Sequence, residues 1–528
     1  MPNRNILLIE PGYKNKYPPL GLMKIAAYHG PYGKRDNVVF VKGDADPRAK
    51  GRVWDRVYVT TLFSFEWKEI AKSIDYAVHV AGNNPKKVFV GGIAASLMHD
   101  QFLQEVRWRG VRFIKGLLSE APAASLQLDE FEEELYSEDV HGTPIEDLIP
   151  DYSILEQIKP EYQYPVHDAY FAYASRGCVR KCHFCGVPKL EGAQRDAQSL
   201  TALVRAIEER YGPRRDLMLM DNNVAASANY RNIIAEIRDL GFVPGAKLTR
   251  PGKVPVQRRV DFNQGVDARI LSKDVMYLEQ MATICLKPLR IAFDHIGLRK
   301  PYETSIRMAH SVGLNELSNY MLYNFHDTPA DLYQRMRLNI DLNVELGCRI
   351  FSFPMRYQPT DMKTRSHVGE HWNRYYLRSM QIILQATHGI VSGSPDFFQR
   401  AFGSTQDEFA DLLLRPQHFL FNRFWYEIYG GRDEFEEYLR VFKKLSESDK
   451  GELGLLLSGS EPRLYGSLTS ETTNTAVKRV LPFYAIPSKA DEAEIWAKMK
   501  LISKKPDEEA IEVPDDERVE DAGLQETV

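Results

Sequence analysis

The chain has 528 residues, 44% of them hydrophobic, with 68 basic against 72 acidic side chains and a net charge of −4. That is enough apolar sequence for about two to four domains with buried cores. No apolar run reaches the roughly 18–20 residues needed to span a bilayer, and the balanced charge gives no global basic footprint for nucleic acid. The N-terminus passes from Met-Pro-Asn-Arg-Asn straight into Ile-Leu-Leu-Ile, too abruptly for a secretory signal, so the expected compartment is the cytoplasm.

Residues 5–118 alternate short β-branched runs with helical stretches. Asn5–Glu10, Asn37–Val41, Arg56–Thr61, Lys87–Val90 and Val111–Ile114 read as strands, and their nearly continuous apolar character implies a parallel sheet covered on both faces. Leu20–Tyr28 and Glu66–Ala81 carry helical periodicity, which gives a Rossmann-like α/β domain over 1–125. Gly91-Gly92 closes the fourth strand, either as a tight turn or to let a ligand approach the backbone. Residues 126–165 turn acidic and Pro-containing and read as a linker, with Asp129-Glu-Phe-Glu-Glu-Glu134 as a solvated helix face.

A second βα series is expected over 166–360. Strand Tyr170–Ser175 leads into a loop. Helical stretches Leu200–Tyr211, Tyr230–Leu240, Lys273–Ile284, Tyr302–Val312 and Asp331–Leu346 then alternate with strands Leu217–Met220, Val260–Asn263, Leu289–Phe293, Ser318–Asn324 and Ile350–Met355. Six such strands fit an open, partial (β/α)6 TIM-like barrel, in which chemistry sits at the C-terminal strand ends. Polar residues gather there: Asp221-Asn222-Asn223, then Asn263-Gln264-Gly-Val-Asp267-Ala-Arg269, Asp294-His295, Asn324-Phe-His326-Asp327 and Arg356. Structural uses compete, with Asp327 or Thr328 as a helix N-cap before Pro329 and an Asx turn at Asp221 and Asn222. From Asn263 to Arg269, two amides, a carboxylate and a guanidinium exceed what a plain loop needs.

Residues 361–490 lose the alternation and read as a helical domain, including His371–Thr387 and Asp433–Ser448, that closes the substrate cavity. Its aromatic stretch from Phe419 to Tyr429, near Arg415 and Arg423, suits packing against the barrel's open side better than base stacking. Lys247 to Arg259 is a local basic stretch, open to a nucleic-acid reading or to that of a solvated loop. Residues 491–528 read as a largely disordered acidic tail.

The strongest chemical signal is Cys178-Val-Arg-Lys-Cys182-His-Phe-Cys185, which holds three of the five cysteines. Intervals of three and two let the thiolates converge on one inorganic centre, as soft sulfur ligands do for iron-sulfur clusters. Three thiolates would bind three irons of a cubane and leave the fourth open to substrate or cofactor. The competing reading is a structural zinc with His183 or a distant histidine, although no second ligand pair exists. Cys285 and Cys348 read as buried free cysteines.

At these residues the sequence resembles the radical S-adenosylmethionine (radical SAM) superfamily, whose motif CxxxCxΦC places an aromatic before the last cysteine, here Phe184. The resemblance implies a [4Fe-4S] cluster on Cys178, Cys182 and Cys185, and an open iron that chelates the methionine part of SAM. Reductive cleavage of SAM would then yield a 5′-deoxyadenosyl radical. It implies SAM contacts from Phe184, Asp221, Asn222, Gln264, Asp267, Arg269 and Asp294, although Asp221-Asn-Asn replaces the Gly-Gly-Glu type motif often found after the second strand. A flavodoxin- or ferredoxin-type electron donor, an unidentified substrate, and neither nucleic acid nor membrane as partner complete the expectation. The strand order, Tyr17-Pro-Pro-Leu-Gly-Leu and Gly91-Gly92 further resemble the cobalamin-binding-like domain that precedes many radical SAM domains. The cobalt-ligating DxHxxG loop is absent, replaced by Glu10-Pro-Gly-Tyr-Lys-Asn-Lys, which disfavours histidine-ligated cobalamin and leaves other cobalamin binding open. A non-catalytic iron-sulfur redox or sensor protein is the alternative.

Overall fold

The computed structural model describes residues 3–118, 134–136 and 141–502. Most of the acidic run before Glu134 and the tail beyond residue 502 lie outside the described residues.

Five strands, β1 (Asn5–Glu10), β2 (Asn37–Lys42), β3 (Arg56–Thr61), β4 (Val88–Gly92) and β5 (Arg112–Phe113), form one parallel sheet in the order β2-β1-β3-β4-β5. Side chains alternate between two cores. Ile6, Leu8, Tyr58 and Phe89 pack with Leu22, Met23 and Ala26 of the helix Leu20–His29, while Leu7, Ile9, Val57 and Val90 pack with Ile70, Ile74 and Ala77 of the helix Trp67–Val80. Both faces are covered, which is why these strands read as unbroken apolar runs. The order reverses between β1 and β3, the switch point at which such sheets take ligands.

The second series comprises β6 (Ala169–Ala172), β7 (Ser175–Arg176), β8 (Arg195–Asp196), β9 (Asp216–Leu219), β10 (Lys247–Leu248), β11 (Val256–Gln257), β12 (Val260–Phe262), β13 (Val266–Asp267), β14 (Leu289–Ala292), β15 (Glu316–Tyr323) and β16 (Arg349–Arg356). Strands β6, β9 and β12 form one parallel ladder, and β13, β14, β15 and β16 a second. Val260 of β12 also forms an isolated parallel bridge with Leu286, shortly before β14. The main βα strands therefore neighbour each other in sequence order and end at β6 and β16, as an open barrel requires. One core runs from Ile6 and Tyr58 of the first sheet through Phe171, Phe262, Ile291 and Met321 of the second.

The structure departs from expectation in several places, among them the helix expected over Asp433–Ser448, which ends at Phe442 before a second helix, capped by Ser446, starts at Glu447. The first strand of the second series stops at Ala172, and Ser175–Arg176 pairs separately and antiparallel with Arg195–Asp196. The helix expected over Lys273–Ile284 is shortened to Met276–Met281, where Asp274 accepts the Met276 N–H, and a separate short helix, Ala268–Leu271, precedes it. The aromatic stretch after residue 418 serves the helical region's own core, with Phe419 4.4 Å from Tyr426 and 5.5 Å from Tyr438 between ring centroids. Lys489–Ile502 forms a helix that runs into the first residues of the expected tail.

Candidate active site

The cysteine loop is clamped at its neck. Strands β7 and β8 pair on either side of it, and Gly177, with φ of 75°, lies so close to the opposite strand that a Cβ would meet the Ala193 carbonyl at 2.2 Å. Only glycine passes there. Asp221 ties this clamp to the second strand: its carboxylate accepts the N–H of Ala174 at 2.9 Å and the hydroxyl of Ser175 at 2.7 Å. Burial pushes the Asp221 carboxyl up to about 6, only partly offset by these donors. Asn222 donates to Glu191 at 3.0 Å, and Glu191 accepts the Gly177 N–H at 2.8 Å. Asp221 and Asn222 therefore hold the loop, through partners 31 to 47 residues away in sequence rather than through an Asx turn.

Within the loop all three thiols are free and half-buried. The Arg180 N–H points to the Cys178 sulfur and the Val187 N–H to that of Cys185, both at 3.4 Å. Burial pushes the Cys182 and Cys185 thiols up; Asp294 adds to the effect on Cys182, and the neighbouring cysteines add to it on Cys185. Such thiols ionise on meeting a cation. No group of three or more His, Cys, Asp or Glu among the described residues is arranged around a single metal ion, and His183 is exposed. A cubane asks for a wider spread, since each thiolate binds a different iron. The sulfur donors and the N–H groups directed at them suit such a cluster.

Asp267, on β13, faces the loop. It accepts from Arg180 Nε at 2.6 Å and from Arg269 Nε at 2.8 Å, and caps its own helix through the Arg269 N–H at 2.9 Å. Burial opposes its ionisation, but the two guanidinium groups outweigh burial and hold the carboxyl below its ordinary value. Arg269 and Asp294 share the electrostatic neighbourhood of Cys182. Asp294 is pushed up to about 6 by burial against the pull of Arg335 and Arg269. Gln264 is exposed. Phe184 packs edge-on against Phe325 at 5.8 Å. Asp327 accepts from Arg335 at 3.1 Å, and Thr328, not Asp327, caps the helix Pro329–Leu346 in a capping box with Asp331.

Deeper among the strands, Arg290 grips Asp261 with two bonds of 2.8 Å. Tyr17, from the N-terminal region, donates to the side-chain Oδ1 of Asn263, and the Asn263 backbone carbonyl accepts from Tyr320 at 3.2 Å. Sequence reasoning missed Arg180, although it sits inside the motif, and missed Tyr17 as a neighbour of Asn263. Of the basic stretch, Arg250 is paired with Asp168 at 2.7 Å and Arg258 stacks on Phe242 at 3.7 Å, so both serve the fold. Cys285 and Cys348 are buried. Among the described residues no helix is long and apolar enough to cross a membrane.

No protein-family model and no curated protein matches the chain. Among solved structures it is similar to the radical S-adenosylmethionine methyltransferase TsrM from Kitasatospora setae, determined with cobalamin and a [4Fe-4S] cluster, at 14% identity and a TM-score of 0.42, over 68% of this chain and 74% of that one. The same enzyme with tryptophan substrate and the SAM analogue aza-SAM gives 14% identity and a TM-score of 0.44, over 68% and 75%. The apo form of the cobalamin-dependent S-adenosylmethionine radical enzyme OxsB gives 13% and 0.43, over 98% of this chain and 77% of that one.

Proposed function

We propose that the chain is a radical SAM enzyme, with a Rossmann-like N-terminal domain, a partial barrel that holds a [4Fe-4S] cluster on Cys178, Cys182 and Cys185, and a helical C-terminal domain. The observation that carries this reading is a clamped loop of three half-buried thiols, with backbone N–H groups on two sulfurs, at the ends of parallel strands that also bear Arg269, Asp267 and Asp294. When bound, the cluster would deliver an electron to SAM and cleave it reductively. The chain's own residues provide the frame. Asp221 and Asn222 fix the loop's neck, Asp267 fixes Arg180, and Arg269 and Asp294 place a positive and a titratable group beside Cys182 for the polar parts of SAM. Phe184, against Phe325, excludes water from that side. Gln264 is free to face SAM or substrate. A flavodoxin- or ferredoxin-type protein would supply the electron, in the cytoplasm, and the substrate is one with an inert C–H bond.

Anaerobic reconstitution with iron and sulfide, followed by dithionite and SAM, tests this. We expect 5′-deoxyadenosine and methionine in equal amounts. A stable, reduced cluster that leaves SAM intact in the presence of cell extract as a substrate source would overturn the reading in favour of a redox or sensor protein.

A further inference from the structure

Sheets with the strand order β2-β1-β3-β4-β5 take ligands outside their C-terminal strand ends, between β1 and β3. In this chain, protein groups among the described residues already hold those ends. After β1, the Glu10 carboxylate is 1% exposed. Lys42 binds it at 2.7 Å, Asn15 at 2.8 Å, and the Tyr164 hydroxyl also donates to it. Lys42 stands 4.5 Å over the Tyr162 ring and 5.6 Å over the Tyr13 ring. Tyr13 spans from β1 to β3, where its hydroxyl accepts the Leu62 N–H at 3.1 Å. Tyr162 clasps both backbone groups of Asn15, at 3.2 and 2.6 Å. The switch-point crevice is thus closed by the chain itself.

The remaining strand ends are closed by the segment that follows β16 and by the cysteine loop. After β3, Arg365 stacks on Phe65 at 4.2 Å and Lys363 on Trp67 at 3.9 Å, and Lys363 also pairs with Glu105 at 2.7 Å. Gln101 donates to the Asp361 carbonyl at 2.7 Å. After β4, Gly92 has φ of 101°, and a Cβ there would meet the Thr61 carbonyl at 2.4 Å, so the sheet needs this glycine whether or not a ligand approaches. The next helix, Ile93–Leu97, packs on the cysteine loop: a side chain at Gly186 would come within 3.0 Å of Leu97.

We propose that the N-terminal domain carries no corrinoid: its ligand rim closes the cleft over the cysteine loop, and the enzyme works without cobalamin. A macrocycle outside these strand ends would have to displace the Lys42–Glu10 pair, the Tyr13 bridge and the contacts of Lys363 and Arg365, leaving charged groups without partners. The inference deepens the reading of a SAM-cleaving enzyme and rests on it for the activity, while the closed rim stands on packing alone.

The test takes the full-length protein with its cluster restored, incubates it with excess hydroxocobalamin, desalts it, and measures cobalt, iron and 5′-deoxyadenosine release in one sample. We expect iron without cobalt, and the same 5′-deoxyadenosine release with or without cobalamin. Stoichiometric cobalt, or release that depends on cobalamin, would overturn the proposal. No cobalt and no release under any condition would sink the SAM reading while upholding the closed rim. As a second arm, the double variant Lys363→Glu, Arg365→Glu should raise amide hydrogen exchange severalfold over residues 64–67 and 357–369. Unchanged exchange would show that these contacts close nothing, and would overturn the proposal as well.

Discussion

The two parallel strand series are built alike and used differently. At the ends of the first, the groups satisfy one another: Glu10 with Lys42, Tyr13 with Leu62, Thr61 with Gly91. At the ends of the second, Asp221 and Asp267 reach across to a loop of three thiols, and Asp294 stays without a side-chain ion pair of its own among the described residues while burial raises its pKa. The same βα alternation makes a wall in one half and a candidate site in the other. The residues just past each strand decide the use, and the repeat alone does not.

The sharpest way to break this contrast is at the cysteines. Cys182→Ala should abolish both the cluster and SAM cleavage, whereas Cys285→Ala, in the buried core, should spare both; iron content and 5′-deoxyadenosine measure it. A full cluster in the Cys182 variant would leave the second series no more a site than the first. Next in size comes the pair deep among the strands. Asp261→Ala strands the Arg290 guanidinium, which is 7% exposed, and should cost about 3–5 kcal/mol in urea unfolding. A cost near zero would mean that solvent reaches Arg290 and that the strands enclose a wet channel.

Much of the frame was legible because apolar runs have ends. Asn5–Glu10, Arg56–Thr61 and Leu200–Tyr211 match their expected bounds, since each is bracketed by polar or turn residues. Val266–Asp267 escaped notice as a strand because two residues carry no period. The cysteine motif was legible from spacing, but the jobs of its neighbours were not. A carboxylate after a strand looks the same whether it faces a ligand or a distant N–H. For Asp221 the deciding donors are Ala174 and Ser175, and only the parallel pairing of β6 with β9 brings them near. Arg180 was hidden for the opposite reason: its partner Asp267 lies 87 residues on.

Asp221 also gives the contrast a pH dependence. Burial raises its carboxyl to about 6, above the unfolded value, so the native state binds this proton more tightly. The stabilisation is complete below the unfolded value and lost as pH rises through about 6. At about 1.4 kcal/mol per pKa unit, the contribution is at most about 3 kcal/mol. Asp221→Asn removes it. Urea unfolding should therefore show wild type gaining on the variant as pH falls from about 7 to about 4. Parallel pH profiles would mean that the Ala174 and Ser175 donors fully offset burial.

The smallest effect separates support from contact. Asp267 accepts Arg180 and Arg269 together, so its carboxylate is committed to the frame of the loop. Asp267→Asn keeps an acceptor for the Arg269 N–H but removes the charge that anchors both guanidinium groups. SAM cleavage should fall about 10–100-fold, as for other groups that orient metal ligands, with iron content unchanged and an altered electron paramagnetic resonance signal of the reduced cluster. If the aspartate acts through the loop, Arg180→Gln should reproduce that signal, and the double variant should be no worse than either single one. If Asp267 instead touches SAM, its variant should weaken SAM binding while Arg180→Gln leaves binding intact. That outcome would move Asp267 from the frame of the second series to its ligand-facing side.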